Sequence, residues 1–196
     1  MAFSGRVKVG WGMAKKFYHL SPVKFTSFAQ QRKGGNEAID VGVHLGTKRT
    51  ALTVADMLYQ KGRIRIGDTV YLYDVSAKLD KCLFLVEDRL GSWSADRILS
   101  QIFEGCDGGP HPFVTRKEED LYWEDVVKIS GCRNDNLKDQ WIYEEEKIAA
   151  LAKWLKKRGV TCIKYKNVFE GGGISYIVLD PSTVRINSVT PYLFER

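Results

Sequence analysis

The 196-residue chain has three histidines, and two of them stand where a short apolar stretch meets a turn. Phe17-Tyr18-His19-Leu20 runs into Ser21-Pro22, and Val41-Gly42-Val43-His44-Leu45 runs into Gly46-Thr47. Each reads as a short strand delivering a polar group beside small residues. Two such strands can line a cleft with donors that grip a polar ligand. A third polar stretch, Lys164-Tyr165-Lys166-Asn167-Val168-Phe169-Glu170, precedes Gly171-Gly172-Gly173 and then Ser175-Tyr176-Ile177-Val178-Leu179. The glycine run allows a sharp turn that presents the Glu170 carboxylate inward. A solvated hairpin residue is the competing reading for Glu170.

The elements that must position these residues follow from local pattern. Thr47 is a plausible N-cap for a helix over about 48–60, with Ala51, Leu52, Ala55, Leu58 and Tyr59 inward and Gly62 as its stop. Residues 69–75 alternate as a strand, and 82–86 form a short apolar run. Ser94 can cap a helix through about Phe103, with Ile98, Leu99 and Ile102 inward. A charged helix is expected over 118–129. The clearest helix spans about 143–158, where Ile148, Leu151, Ala152 and Leu155 form an apolar stripe. Glu144–Glu146 at its start and Lys156–Arg158 at its end suit the helix dipole. Residues 160–165, 175–179 and 184–186 supply closing strands. Strands at both ends with helices between them give an α+β class. Residues 1–14 read as an N-terminal extension and 15–196 as a single domain.

Composition narrows the setting. A hydrophobic share of 44% with 28% charged residues is ordinary for a globular protein. No apolar run approaches the roughly 18–20 residues of a membrane span. The N-terminus lacks a signal peptide's apolar core, so a cytoplasmic protein is expected. Cys82, Cys106, Cys132 and Cys162 form no Cys-x-x-Cys pair, which argues against zinc and for free buried thiols. The net charge of +6 is uneven: residues 1–66 hold twelve Lys/Arg against three acids. Such a face could draw in nucleic acid, an acidic protein or a dinucleotide's pyrophosphate, or be a solvated surface.

The two histidine segments together resemble the dinucleotide-binding core of the ADP-ribosyltransferase-fold family. There a Tyr-His-Gly-Thr-type segment is followed by a Gly-x-His-Phe-Gly-Thr-type segment. The phage-encoded branch is the most similar, with its polyvalent-protein transferase-like domains and an anti-CRISPR ADP-ribosyltransferase. Its last hairpin, an Asn-bearing loop leading into Tyr-Val-Val-Phe-Asp-Pro-Ser, is similar to Asn167 followed by Tyr176-Ile177-Val178-Leu179-Asp180-Pro181-Ser182. Asp88 and Trp93 add a looser likeness, and the whole spans about residues 16–189.

The resemblance implies split, bent sheets with flanking helices, NAD as substrate, and transfer of ADP-ribose to a macromolecular acceptor. That acceptor would be a protein or a nucleic acid of the host cell, and the role host takeover or anti-defence. His19 would hydrogen-bond the adenosine-side ribose. Leu20, Ser21, His44, Thr47, Asn167 and Tyr176 would complete the NAD site, with His44 favoured as a wall or structural group. Thr47 is equally suited to simple N-capping. Many members carry the catalytic Glu at the position held here by Ser175, so Glu170 becomes the candidate carboxylate. Asp180 precedes a proline and reads as a turn former. NAD hydrolysis with water as acceptor, and a non-catalytic binding module, remain the alternatives. A Gly-x-Ser-x-Gly elbow is absent, and the glycine run precedes a strand, unlike P-loop or Rossmann motifs.

A dinucleotide's pyrophosphate is too small to need so basic an N-terminal third, which is therefore assigned to target docking. Charge reversal at Lys15, Lys16, Arg32 and Lys33 should weaken target modification while sparing NAD affinity, with high salt acting likewise. Loss of NAD affinity with target binding intact, measured by titration of each variant, would overturn that assignment.

Overall fold

The computed structural model describes residues 16–28, 41–88, 95–103, 140–168, 170 and 172–195. In chain order the elements are β1 (Lys16–Ser21), β2 (Val43–Leu45), α1 (Lys48–Gln60), β3 (Thr69–Ala77) and β4 (Cys82–Asp88). Then come α2 (Ala95–Phe103), α3 (Gln140–Lys157), β5 (Cys162–Asn167), β6 (Ile174–Val178) and β7 (Val184–Leu193). The extension over 1–14, the helix expected over 118–129 and Trp93 lie outside the described residues.

Two sheets result. The first, ordered β1-β3-β7, is antiparallel throughout; the second, ordered β2-β6-β5-β4, pairs β4 and β5 in parallel. A parallel pair needs a long crossover, and the chain between β4 and β5 contains α2 and α3. The class is mixed α+β.

Alternation along the strands sorts side chains into layers. Phe17, Tyr73 and Val75 of the first sheet pack with Val43, Leu45, Tyr176 and Val178 of the second. The opposite face of the first sheet, through Leu20, Val70 and Leu72, receives Ala51 and Ala55 of α1. On the far face of the second sheet, Leu85, Ile163 and Ile177 pack with Ile98, Ile102, Leu151 and Leu155 of α2 and α3. The two sheets thus lie face to face, with helices on both outer sides.

Most expected elements are present, with shifts that have physical causes. α1 spans the expected residues and packs through Ala51, Ala55, Leu58 and Tyr59 as expected, but Leu52 is 36% exposed and Thr50 is buried instead. The Thr50 hydroxyl is accommodated there by the Thr47 hydroxyl, 2.9 Å away. α3 begins three residues earlier than its acidic cluster suggested, so Glu144–Glu146 fall beyond its first turn. β7 runs ten residues instead of three, because it pairs along the whole of β3. Asp180 behaves as the turn former expected of Asp-Pro. Its carboxylate accepts from the Ser182 hydroxyl and amide, which hold its carboxyl below the ordinary range.

The cysteine expectation needs correction. Cys82 and Cys162 stand directly opposite each other on β4 and β5, with Cα atoms 4.6 Å apart, and form a disulfide. Sequence spacing hid this because 80 residues separate them, and only strand pairing brings them within bonding reach. Closing so long a loop should stabilise the fold by about 4 kcal/mol through the unfolded chain's entropy. Reductant, or Cys82→Ser, should therefore lower the denaturation midpoint clearly. An unchanged midpoint together with two extra titratable thiols would show that the pair is not bonded.

Candidate functional site

Among the described residues, one isolated β-bridge joins the backbones of the two sheets. Tyr18 N–H donates to the Gly46 carbonyl at 2.9 Å, and Gly46 N–H donates to the Tyr18 carbonyl at 3.0 Å. His19 follows Tyr18 in this bridge, and β2 in turn pairs with β6 through Leu45 and Tyr176.

His19 lies on the sheet-facing side of β1, opposite Tyr73 in register. Its Nδ1 is 3.0 Å from the His44 carbonyl oxygen. A carbonyl only accepts, so Nδ1 carries a proton in this contact. Three rings surround the imidazole edge-on: Phe28 at 5.1 Å and both Phe25 and Tyr73 at 6.1 Å between centroids. Phe25 and Phe28 were not anticipated; the Phe-x-x-Phe spacing just after the Ser-Pro turn is the signal that could have found them.

Tyr73 pins this aromatic group. It is fully buried, stacks on Phe25 at 4.2 Å, and its hydroxyl accepts from the Phe25 amide at 2.7 Å. Burial pushes its phenol above the ordinary range; the Phe25 amide opposes this and Tyr71 adds to it. Ser21 is also buried, and its hydroxyl accepts from the Val23 amide at 3.1 Å. Its role is thus to close the turn after β1. The Leu20 side chain packs in the α1 cluster on the opposite face.

His44 faces the helix side of its sheet, with Nδ1 3.1 Å from the Tyr165 hydroxyl. Thr47 caps α1, its hydroxyl accepting from the Thr50 amide at 3.1 Å, while remaining exposed. Tyr176 is buried at 7% exposure and meets Phe17 edge-on at 5.2 Å. His19 and Tyr176 therefore sit on the facing sides of the two sheets.

The third polar group forms at the ends of β5 and β6. Asn167 and Ser175 point to the same face and are 1% and 2% exposed. Asn167 Nδ2 donates to Glu170 Oε2 at 2.5 Å and to Ser175 Oγ at 3.2 Å, while its Oδ1 accepts from the Glu170 amide at 2.9 Å. Both amide hydrogens are thereby engaged within the group. Glu170 is half-buried and held, not splayed into solvent. Gly172 and Gly173, at φ of 79° and 104°, supply the left-handed backbone that returns the chain to β6. Gly46 completes the group: a Cβ there would lie 3.1 Å from Thr50 and 3.2 Å from Ser175 Oγ, so its lack of a side chain lets these elements close up.

Removing the Tyr73 hydroxyl should unpin the aromatic group. Tyr73→Phe leaves the Phe25 amide without its acceptor and should cost about 1–3 kcal/mol. Denaturation and hydrogen exchange at the Phe25 amide measure this, and unaltered protection of that amide would refute the pinning role.

No known protein-family model, curated protein or solved structure matches this chain. The site's meaning therefore rests on its own geometry and on the resemblance of its motifs.

Proposed function

We propose that the protein is an NAD-dependent mono-ADP-ribosyltransferase that modifies a macromolecule, built on the split-sheet ADP-ribosyltransferase fold. One observation carries this reading. The Asn167 amide is hydrogen-bonded to both Ser175 and Glu170. The Glu170 carboxylate therefore returns to the neighbourhood of residue 175, where the resembled family carries its catalytic Glu. The chain lacks the carboxylate on the strand and supplies one from the preceding loop.

The chemistry asks for groups of the kinds found here. As the bond between nicotinamide nitrogen and ribose C1′ breaks, its electron pair leaves with nicotinamide and the ribose becomes oxocarbenium-like. A carboxylate at Glu170 opposes that positive charge, a preorganised electrostatic contribution that is commonly the largest catalytic one. It can also orient the acceptor's nucleophile or take its proton. His19, fixed by the contact of its Nδ1 with the His44 carbonyl, is the group assigned to the adenosine-side ribose. The ring group of Phe25, Phe28 and Tyr73 is suited to serve as the aromatic wall for nicotinamide. The docked acceptor would be a protein or nucleic acid held by the basic N-terminal third.

A host-cell lysate incubated with the protein and labelled NAD, read by mass spectrometry, distinguishes transfer, hydrolysis and inactivity. Glu170→Gln should lower turnover roughly 100–1,000-fold with little change in NAD affinity. His19→Ala should instead weaken NAD binding. Normal turnover by Glu170→Gln would place the catalytic carboxylate elsewhere. A wild-type protein that binds no NAD and modifies nothing would leave the binding-module reading.

A further inference from the structure

We infer that Asn167 is the positioning residue of this site: its buried side chain fixes where the Glu170 carboxylate stands. The inference rests on the proposed role of Glu170, but its evidence is independent of any family pattern. An exposed loop acid ordinarily has many rotamers and no fixed direction. Glu170 is instead gripped twice by one neighbour, through its backbone amide and through its carboxylate.

The orientation of the Asn167 amide is dictated, not chosen. The Glu170 backbone N–H can only donate, so the Asn167 oxygen must face it, and the NH2 group must then face the carboxylate and Ser175. At 1% exposure, water does not compete for these bonds. The backbone of the same residue also closes the loop, with Asn167 N–H donating to the Gly173 carbonyl at 2.9 Å. Asn167 thus holds both the loop and the acid within it. A neutral donor suits the task. It orients the carboxylate through a strong charge-assisted bond without adding a cation of its own.

Asn167→Asp separates positioning from simple loop closure. The substituted oxygen can still accept the Glu170 amide, while the other oxygen now faces Glu170 Oε2 with no hydrogen between them. Two facing carboxylates favour sharing a proton, which raises the pH at which the pair ionises. Turnover should fall on the order of 100-fold from the misplaced group, with NAD affinity kept. The acid limb of the pH–rate profile should move to higher pH, which loss of a merely structural contact would not cause. If turnover and profile match wild type, Asn167 only closes the hairpin and the inference falls.

A measurement on the wild-type chain keeps the test open should that variant not fold. The Asn167 side-chain amide resonances should follow the titration of Glu170, read at its 13C-labelled carboxyl, and stop doing so in Glu170→Gln. Amide resonances indifferent to that titration would overturn the inference. Coupled resonances in a protein whose Glu170→Gln variant turns over normally would overturn the catalytic reading instead, leaving Asn167 as the holder of a non-catalytic acid.

Discussion

The reciprocal pair of hydrogen bonds between Tyr18 and Gly46 is the constraint on which the arrangement depends. A full ladder between β1 and β2 would merge the two sheets into one continuous surface, with both histidines committed to its pleat. A single bridge lets the strands diverge on either side of it. The sheets then stack, Phe17 against Tyr176, while their joined corner stays lined by strand ends. His19 follows Tyr18 and points to the facing side; His44 precedes Gly46 and lends its carbonyl to His19. The bridge thus determines which atoms of the two histidine motifs meet.

From this corner the polar groups are layered by their cost of burial. A buried polar atom without a partner costs about 1–3 kcal/mol, and the site's members are paired accordingly. Ser21 satisfies the Val23 amide, Thr50 meets Thr47, and Asn167 meets Ser175 and Glu170. Several residues whose sequence positions suggested ligand contact also hold the local backbone or a neighbouring side chain. This is a general consequence of building a site from strand ends: the side chains that turn the chain must be satisfied locally first.

Much of the fold was legible in the sequence because its signals are local. Thr47 and Gly62 bracket α1, and the Ile98, Leu99 and Ile102 stripe marks the buried side of α2. What escaped the sequence is non-local. The disulfide depends on β4 lying beside β5, and the length of β7 depends on the length of β3. The same division holds at the site. His19, Tyr176 and Glu170 could be singled out by motif, whereas the direction of His44 could not, since a one-residue shift in a strand reverses its face. Tyr73 was an unremarked member of an alternating strand; only its register opposite His19 gives it a part in the aromatic group.

Placing the acid on a loop instead of a strand also has a physical logic in this chain. Residue 175 is buried at 2% exposure, with its hydroxyl beside Gly46. A buried carboxylate there would need full charge compensation. Glu170, one loop away and half-buried, keeps partial access to solvent, while the Asn167 amide reaches from the packed interior to hold it. Ordering such a loop costs conformational entropy, to which the two left-handed glycines add. The hydrogen bonds of one buried asparagine offset part of that cost. The small residue at 175, the glycine turn and the amide between them therefore form one solution: the interior stays neutral and the charge stays at its edge.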